Sequence, residues 1–375
     1  SINTVIQHHD ILRTRFKDMD NQIVQETSGN FQLPISIIDL SDITDNQEAH
    51  WRKLAHQETT RTFELTRLPL LSIRLYKLAT DRYILFTIMH HIISDGWSLG
   101  VFFDELISHY KILLTNQTSN LPELPIQYSD YAVWQQQQLS NDKLNSQLNY
   151  WKTQLANLIQ LNLPTDHPRS YNLPSTGQRQ TIQISKSITD AINILSRQQE
   201  ASLFMTLMSA FMVLCTRYSG QDDIAIGTPI ANRHHPETEP MIGFFANTLV
   251  MRGNLANNPT FIELLQQIKQ TSLNAYKNQD VPFDQLVDAI QPDRKTGQNP
   301  LCQVVLALQN TPKPNTDLEG IKFHPYQFEG GLVRFDLELH IFETSNGLDV
   351  HFDYDTGLFE KETIERMAGH YRVLL

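Results

Sequence analysis

Two short apolar runs, PLLSIRLYKL at residues 69–78 and YILFTIM at 83–89, lie back to back with Thr80-Asp81-Arg82 as the break. Both are rich in β-branched and aromatic residues and too short for ordinary helices, so they read as buried strands. A helical stripe follows, with Val101, Phe102, Leu106, Tyr110 and Leu113 along one face of residues 98–114. Strand, polar loop, helix is therefore the local order, and a chain that repeats it folds as mixed α/β. The order does repeat from residue 180 onward. Residues 202–218 read as a strongly apolar helix and 224–226 as a short strand. Residues 260–275 read as an amphipathic helix with Thr260 as N-cap. Residues 303–308, 333–343 and 348–354 read as strands. Residues 1–16 read as a helix running into a strand near 14–16. Residues 117–130 and the stretch holding Pro164, Pro168 and Pro174 are irregular, and between them Leu144, Leu148, Trp151, Leu155 and Leu158 mark another amphipathic helix. The four glutamines at 135–138 read as a solvated helix face. The expected organisation is an N-terminal lobe over 1–125, a linker helix and crossing segment over 126–175, and a C-terminal lobe over 176–375.

Composition narrows the partners. The 375 residues carry 30 Lys+Arg against 41 Asp+Glu, a formal charge of −11 with no basic stripe. A nucleic acid or an anionic membrane is an unsuitable general partner for that surface. No apolar run is long enough to span a bilayer. Cys215 and Cys302 sit in apolar runs and read as buried free thiols in a reducing cytoplasm. The Asn116-Gln117-Thr118 sequon reads as a chance match. The chain opens on Ser1 with helical spacing already present at Ile2, Val5, Ile6 and His9. It stops inside another stripe, Ile364, Met367, Tyr371, Leu374, so it reads as a piece of a longer polypeptide.

The densest chemistry is His90-His91-Ile92-Ile93-Ser94-Asp95-Gly96-Trp97-Ser98, between a strand and a helix start. If the strand persisted, adjacent histidines would point to opposite faces, one free for chemistry and one structural. Metal ligation is a rival reading, but two adjacent strand histidines converge on one ion less readily than an i, i+4 helical pair. The bland reading is two satisfied histidines at a strand end. The Asp-Gly turn opening a helix favours function, because it sets a base beside free backbone N–H groups.

Residues 90–96 match the HHxxxDG signature of the condensation domains of nonribosomal peptide synthetases, and further stretches keep that family's order. His9-Asp10-Ile11-Leu12-Arg13-Thr14-Arg15-Phe16 resembles its HExLRTxF, with Asp10 in place of Glu. Residues 128–135 resemble YxDYAxWQ. Residues 226–233 (IGTPIANR) and 242–249 (IGFFANTL) resemble its longest signature. Residues 279–283 and 299–304 resemble two more, with Cys302 in place of the common Phe. The family's usual first motif is missing, which fits truncation at the N-terminus.

The resemblance implies an α/β fold of two chloramphenicol-acetyltransferase-like lobes forming a pseudo-dimer with a central tunnel. It implies amide-bond formation between a donor thioester and an aminoacyl acceptor thioester, each carried on the phosphopantetheine of a partner peptidyl carrier domain, upstream and downstream. An adenylation domain is expected in the same polypeptide, and no cofactor or metal in the domain itself. By resemblance His91 is the active histidine and Gly96 N–H an oxyanion donor. His90, Asp95, Arg13 and Trp97 are structural, with Arg13 paired to Asp95, and Ser98 and Asn247 line the substrate channel. Tyr131 and Trp134 read as packing residues, His234-His235 as solvated, and Asp336 as a strand-end carboxylate. Trp97-Ser98 after the motif resembles the condensing subtype that takes an L-configured donor. Competing readings are a catalytically silent carrier-docking domain, an epimerising relative and an acyl-CoA-dependent acyltransferase. A heterocyclising relative would carry aspartates in place of the histidines.

Overall fold

The computed structural model describes the chain except residues 44, 116–120, 139–141, 170–175, 292–298, 310–317, 319, 325 and 327–330. The sequon and Pro174 fall outside the described residues. Two compact units divide the chain, and neither is continuous in sequence. The first holds Ser1–Gln138, Arg233–Phe245 and Thr311–Phe328; the second holds Leu139–Asn232, Ala246–Asn310 and Glu329–Leu375. The expected partition into 1–125, 126–175 and 176–375 differs from this division, which splits the expected linker after Gln138 and assigns 233–245 and 311–328 to the first unit. Residues 126–138 pack with the first unit, and residues 233–245 belong to it as well, because Arg233 and the backbone at 242–245 supply partners for buried polar groups there.

In the first unit α1 (Ile2–His8) runs through a 3-10 turn at Asp10–Arg13 into the hairpin β1 (Thr14–Met19) and β2 (Gln22–Thr27). Then come β3 (Ser36–Asp39), α2 (Gln47–Thr59), β4 (Leu71–Lys77) and β5 (Tyr83–Met89), where β4 pairs parallel to β3 and antiparallel to β5. The two apolar runs thus form the expected strands. After β5 follow α3 (Gly96–Leu114) and α4 (Tyr128–Gln138). The stripe of α3 enters the core at Phe102 and Leu106 but leaves it beyond, since Tyr110 is 40% and Leu113 52% exposed. Periodicity marks a face, not how far the partner surface extends under it. Residues 128–130, expected in the crossing segment, begin α4, where Asp130 accepts the N–H of Gln127 at 2.8 Å. The glutamines at 136–138 are exposed.

The second unit contains α5 (Asp142–Gln154), β6 (Thr176–Ser185), α6 (Lys186–Gln198), α7 (Leu203–Ser219), β7 (Asp223–Ile230), β8 (Asn247–Asn254), α8 (Phe261–Lys277) and α9 (Phe283–Ile290). It closes with β9 (Val304–Gln309), β10 (Gly331–Leu332), β11 (Leu337–Thr344), β12 (Gly347–Asp355) and α10 (Lys361–Leu374). Among the described residues its sheet has seven strands in the order β10-β6-β12-β11-β9-β7-β8. Leu144, Trp151 and Leu155 are buried as the stripe required, although Leu155 and Leu158 lie past the end of α5. α7 buries most of its length, which accounts for its nearly continuous apolar sequence. α8 starts where Thr260 predicts it: Thr260 Oγ1 accepts from Glu263 N–H and Glu263 accepts from Thr260 N–H at 2.7 Å, a capping box. Both cysteines are free and buried, and burial pushes the Cys302 thiol up to about 12. Asp336 sits just before β11 and is held by Arg169 at 2.9 Å.

Candidate active site

β5 ends at Met89, so the histidines do not lie on a strand. His90 is extended, with φ −64° and ψ 138°, and caps a one-turn 3-10 helix at His91–Ile93. The premise of opposed strand faces therefore does not hold. What separates the two imidazoles is their hydrogen bonding. His90 Nδ1 accepts the N–H of Ile92 at 3.0 Å, and its ring meets Phe63 edge-on at 6.1 Å. Burial, then the neighbouring His91, lowers its pKa, so it sits neutral as the Nε2–H tautomer. His91 Nδ1 lies 2.8 Å from the carbonyl oxygen of Ser94. A carbonyl only accepts, so Nδ1 carries the proton, and the neutral ring keeps its lone pair on Nε2. His91 is exposed, and its Nε2 makes no hydrogen bond among the described residues.

Asp95 caps α3, and its carboxylate is the centre of a dry, densely hydrogen-bonded knot, in which Arg233 Nε alone is buried without a partner among the described residues. Oδ1 accepts from Ser98 N–H at 2.8 Å and lies 3.1 Å from Arg233 Nη2. Oδ2 accepts from Phe245 N–H at 3.1 Å. The Asp95 and Arg233 side chains are 2% and 1% exposed. Arg233 Nη1 donates to the carbonyls of Thr238 and, at 2.7 Å, Met241, and its guanidinium stacks 4.0 Å from the Phe245 ring. Burial pulls the Arg233 pKa below the ordinary value and Asp95 opposes this. The group stays charged.

The expected Arg13–Asp95 pair is absent. Arg13 instead donates to Asp10, one 3-10 turn away, and to Ser28 O at 2.5 Å. The carboxylate that stands where the family usually has Glu is the nearer partner, and Asp95 is already filled by Arg233. Arg233 stands in plain view at the end of IGTPIANR, but as a motif that stretch suggests only loop shaping. No local signal singled it out, because Arg13 and Arg15 lie in a motif stretch as well.

Ser98 and Asn247, expected to line a channel, have their polar side-chain atoms taken up by hydrogen bonds within the units that hold them. Ser98 is fully buried, and its Oγ faces Asp95 Oδ1, Gly243 O, Gly243 N–H and Arg233 Nη2, which uses its one donor and both acceptor sites. Asn247 lies in the second unit. Its amide donates to Gln279 O and Val281 O at 3.0 and 2.8 Å and accepts from Phe283 N–H at 3.0 Å, which ties the start of α9 to β8. Trp97, expected in a structural role, donates its indole N–H to Glu239 O at 2.9 Å.

Gly96 is the first residue of α3 and is exposed. A Cβ there would meet nothing within 4 Å, so packing does not demand glycine at this position. Among the described residues its N–H has no partner. Gly243 is the opposite case, since a Cβ would lie 2.1 Å from the Tyr128 ring. Tyr128 OH donates to Phe244 O at 2.8 Å, and burial pushes its phenol pKa far up. Tyr131 packs against Phe245 at 4.7 Å, while Trp134 meets the exposed His235 at 5.0 Å, both in packing roles.

One group of three metal-ligand side chains converges among the described residues: His8, His9 and Glu105. Ile242 N–H donates to His9 Nδ1 at 3.3 Å, so His9 presents an Nε2 proton to Glu105 at 3.0 Å, where a metal would need a lone pair. The cluster is accordingly a hydrogen-bonded triad. His8 Nδ1 lies 3.1 Å from Glu105 and Nε2 3.0 Å from Pro122 O, two acceptors that favour the imidazolium.

A family model described as Condensation domain matches residues 1–375. Malpinin synthetase of Mortierella alpina is 39% identical over all of this chain, which spans only 5% of that protein. The X-domain from teicoplanin biosynthesis superposes with a TM-score of 0.89 at 23% identity, covering all of this chain and 85% of the other. The epimerization domain from the third module of tyrocidine synthetase B gives 0.79 at 18%, covering 100% and 85%. Those two likenesses are likenesses of fold. The match over the full length, with the His-Asp-Gly loop intact on its buried Arg233 support, places the chain in the condensation-domain family.

Proposed function

We propose that this chain forms an amide bond between a donor acyl or peptidyl thioester and the α-amine of an acceptor aminoacyl thioester, each on the phosphopantetheine arm of a carrier domain. The observation that carries the reading is His91: an exposed imidazole whose Nδ1 proton is fixed on Ser94 O, with the Nε2 lone pair free. The amine nitrogen attacks the donor carbonyl carbon, the C–N bond forms, the C–S bond breaks, and the amine proton passes through Nε2 to the departing thiolate. In this reading the N–H of Gly96, at the start of α3 and without a partner among the described residues, donates to the developing oxyanion. An α-amine of pKa about 8 is roughly a tenth neutral at pH 7, and a thioester is already activated. Holding the two groups together is worth about 7–11 kcal/mol, against the roughly 3–5 kcal/mol of a 10²–10⁴-fold general base effect. Positioning is thus the larger contribution and His91 the smaller.

Carrier domains on both sides and an adenylation domain in the same polypeptide fit a chain that spans 5% of a synthetase. The residues Trp97-Ser98 after Gly96 support an L-configured donor. Two buried free thiols suit a reducing cytoplasm. The test is single-turnover dipeptide formation between separately loaded carriers. His91→Ala should lower the rate by about 10²–10⁴-fold with little change in melting temperature. His90→Ala should act chiefly on folding, through Ile92 and Phe63. A wild-type chain that binds loaded carriers and makes no amide would replace condensation by silent carrier docking. Inversion at the donor Cα without amide would replace it by epimerisation.

A further inference from the structure

Phe244 and Phe245 send their side chains in opposite directions. Phe245 is turned inward, 3% exposed, against Arg233, Tyr128 and Tyr131. Phe244 is turned outward and is 42% exposed. An exposed phenylalanine by itself is ordinary. Here two further observations bear on it. Its ring lies against the His91 imidazole, with centroids 4.7 Å apart and planes at 69°. Its backbone is held on every side: Gly243 N–H and C=O at Ser98 Oγ, Phe244 C=O on Tyr128 OH, Phe245 N–H on Asp95. A rigid frame therefore presents an apolar ring beside the His91 imidazole, whose Nε2 makes no hydrogen bond among the described residues, where the ring cannot relax into the core.

We propose that Phe244 is a specificity-determining residue, the apolar wall that receives the side chain of the acceptor aminoacyl group. This rests on the function proposed above. An amine held by His91 Nε2 at hydrogen-bond distance, about 3 Å, brings its own Cα and side chain within one side-chain length of the Phe244 ring. That ring offers dispersion contact and no hydrogen bond, so it favours aliphatic and aromatic acceptor side chains over glycine and over charged ones. A hydrophobic wall of this kind discriminates by roughly 10–200-fold per methylene-sized difference.

The experiment compares leucyl, glycyl and aspartyl acceptors on one carrier, with a fixed donor, for the wild-type chain, Phe244→Leu and Phe244→Ala, with melting temperatures measured alongside. The leucyl/glycyl ratio of kcat/KM should fall about tenfold or more in Phe244→Ala and by less in Phe244→Leu. A ratio unchanged in an active, folded Phe244→Ala protein overturns the proposal. So does a change confined to donor preference when the donor is varied instead. If the wild-type chain makes no amide at all, the proposed function has failed, and this inference is judged by binding alone. Leucyl- and glycyl-pantetheine amides, which do not react, are then titrated against wild type and Phe244→Ala. Tighter leucyl binding lost in the variant supports the wall, and equal binding of the two amides by wild type overturns it.

Discussion

The knot around Asp95 and the face around His91 sit on the same short loop and are built in opposite ways. In the knot, Asp95, Ser98 and Arg233 are dry and nearly every polar group is matched. On the face, His91 Nε2 and Gly96 N–H have no partner among the described residues, and Phe244 shows its ring to solvent. The knot fixes positions and has nothing left with which to react. The face has reactive groups left over and depends on the knot to hold them still. A motif of few residues thus divides into groups whose hydrogen bonds are used up and groups left open, and burial together with hydrogen-bond saturation tells the two apart.

The strongest way to break this contrast is to remove Arg233. Arg233→Ala strands a buried carboxylate, and denaturant unfolding should show a loss of about 3–5 kcal/mol. Arg13→Ala should cost far less. A double-mutant cycle should find coupling between Asp95 and Arg233 and none between Asp95 and Arg13. Coupling of Asp95 to Arg13 would restore the pairing expected from the family pattern.

Two glycines sharpen the contrast at a lower energy. Gly243→Ala drives a Cβ into Tyr128 inside the knot and should destabilise by about 1–3 kcal/mol. Gly96→Ala meets no atom, so the melting temperature should stay close to wild type while single-turnover amide formation falls, because the methyl group crowds the N–H offered to the oxyanion. Equal melting losses in the two variants would erase the distinction between supporting and reacting glycine.

The smallest expected effect is a pH dependence. The hydrogen bond to Glu105, against some burial, raises the pKa of His8. Its contribution to stability is therefore full below the unfolded value near 6.5 and is lost as pH rises through the folded value. His9 works in the opposite sense: burial lowers its pKa, so acidification costs stability there. Burial raises the Glu105 pKa, but the two histidine hydrogen bonds outweigh it and the net shift is downward, so its share disappears only on stronger acidification. Comparing wild type with His8→Gln isolates the first contribution. The gap in melting temperature should be wider near about pH 5.5 than near about pH 8.5. A gap independent of pH would show that His8 is not charged in the fold.

Local features were legible because their causes are local. The strand character of residues 83–89, the Thr260 cap with Glu263 three residues on, and the stripe holding Leu144, Trp151 and Leu155 all follow from backbone sterics, capping and periodicity within one element. The order of motifs along the chain was enough to indicate the family. Partner choice was not legible. Arg13 and Arg233 both lie in motif stretches, and nothing in either stretch says which one reaches a carboxylate at residue 95. Arg233 reaches it because residues 233–245 fold into the first unit, 138 positions along the chain from Asp95. Ser98 and Asn247 read as channel residues by their place in motifs, and the tertiary structure spends every polar atom they have on backbone and buried charge. The sequence by itself determined which elements form, where they start, and which loop holds the reactive types. The tertiary structure alone decided which of those side chains are used up in hydrogen bonds and which remain free, because hydrogen-bond saturation depends on atoms brought together from distant segments.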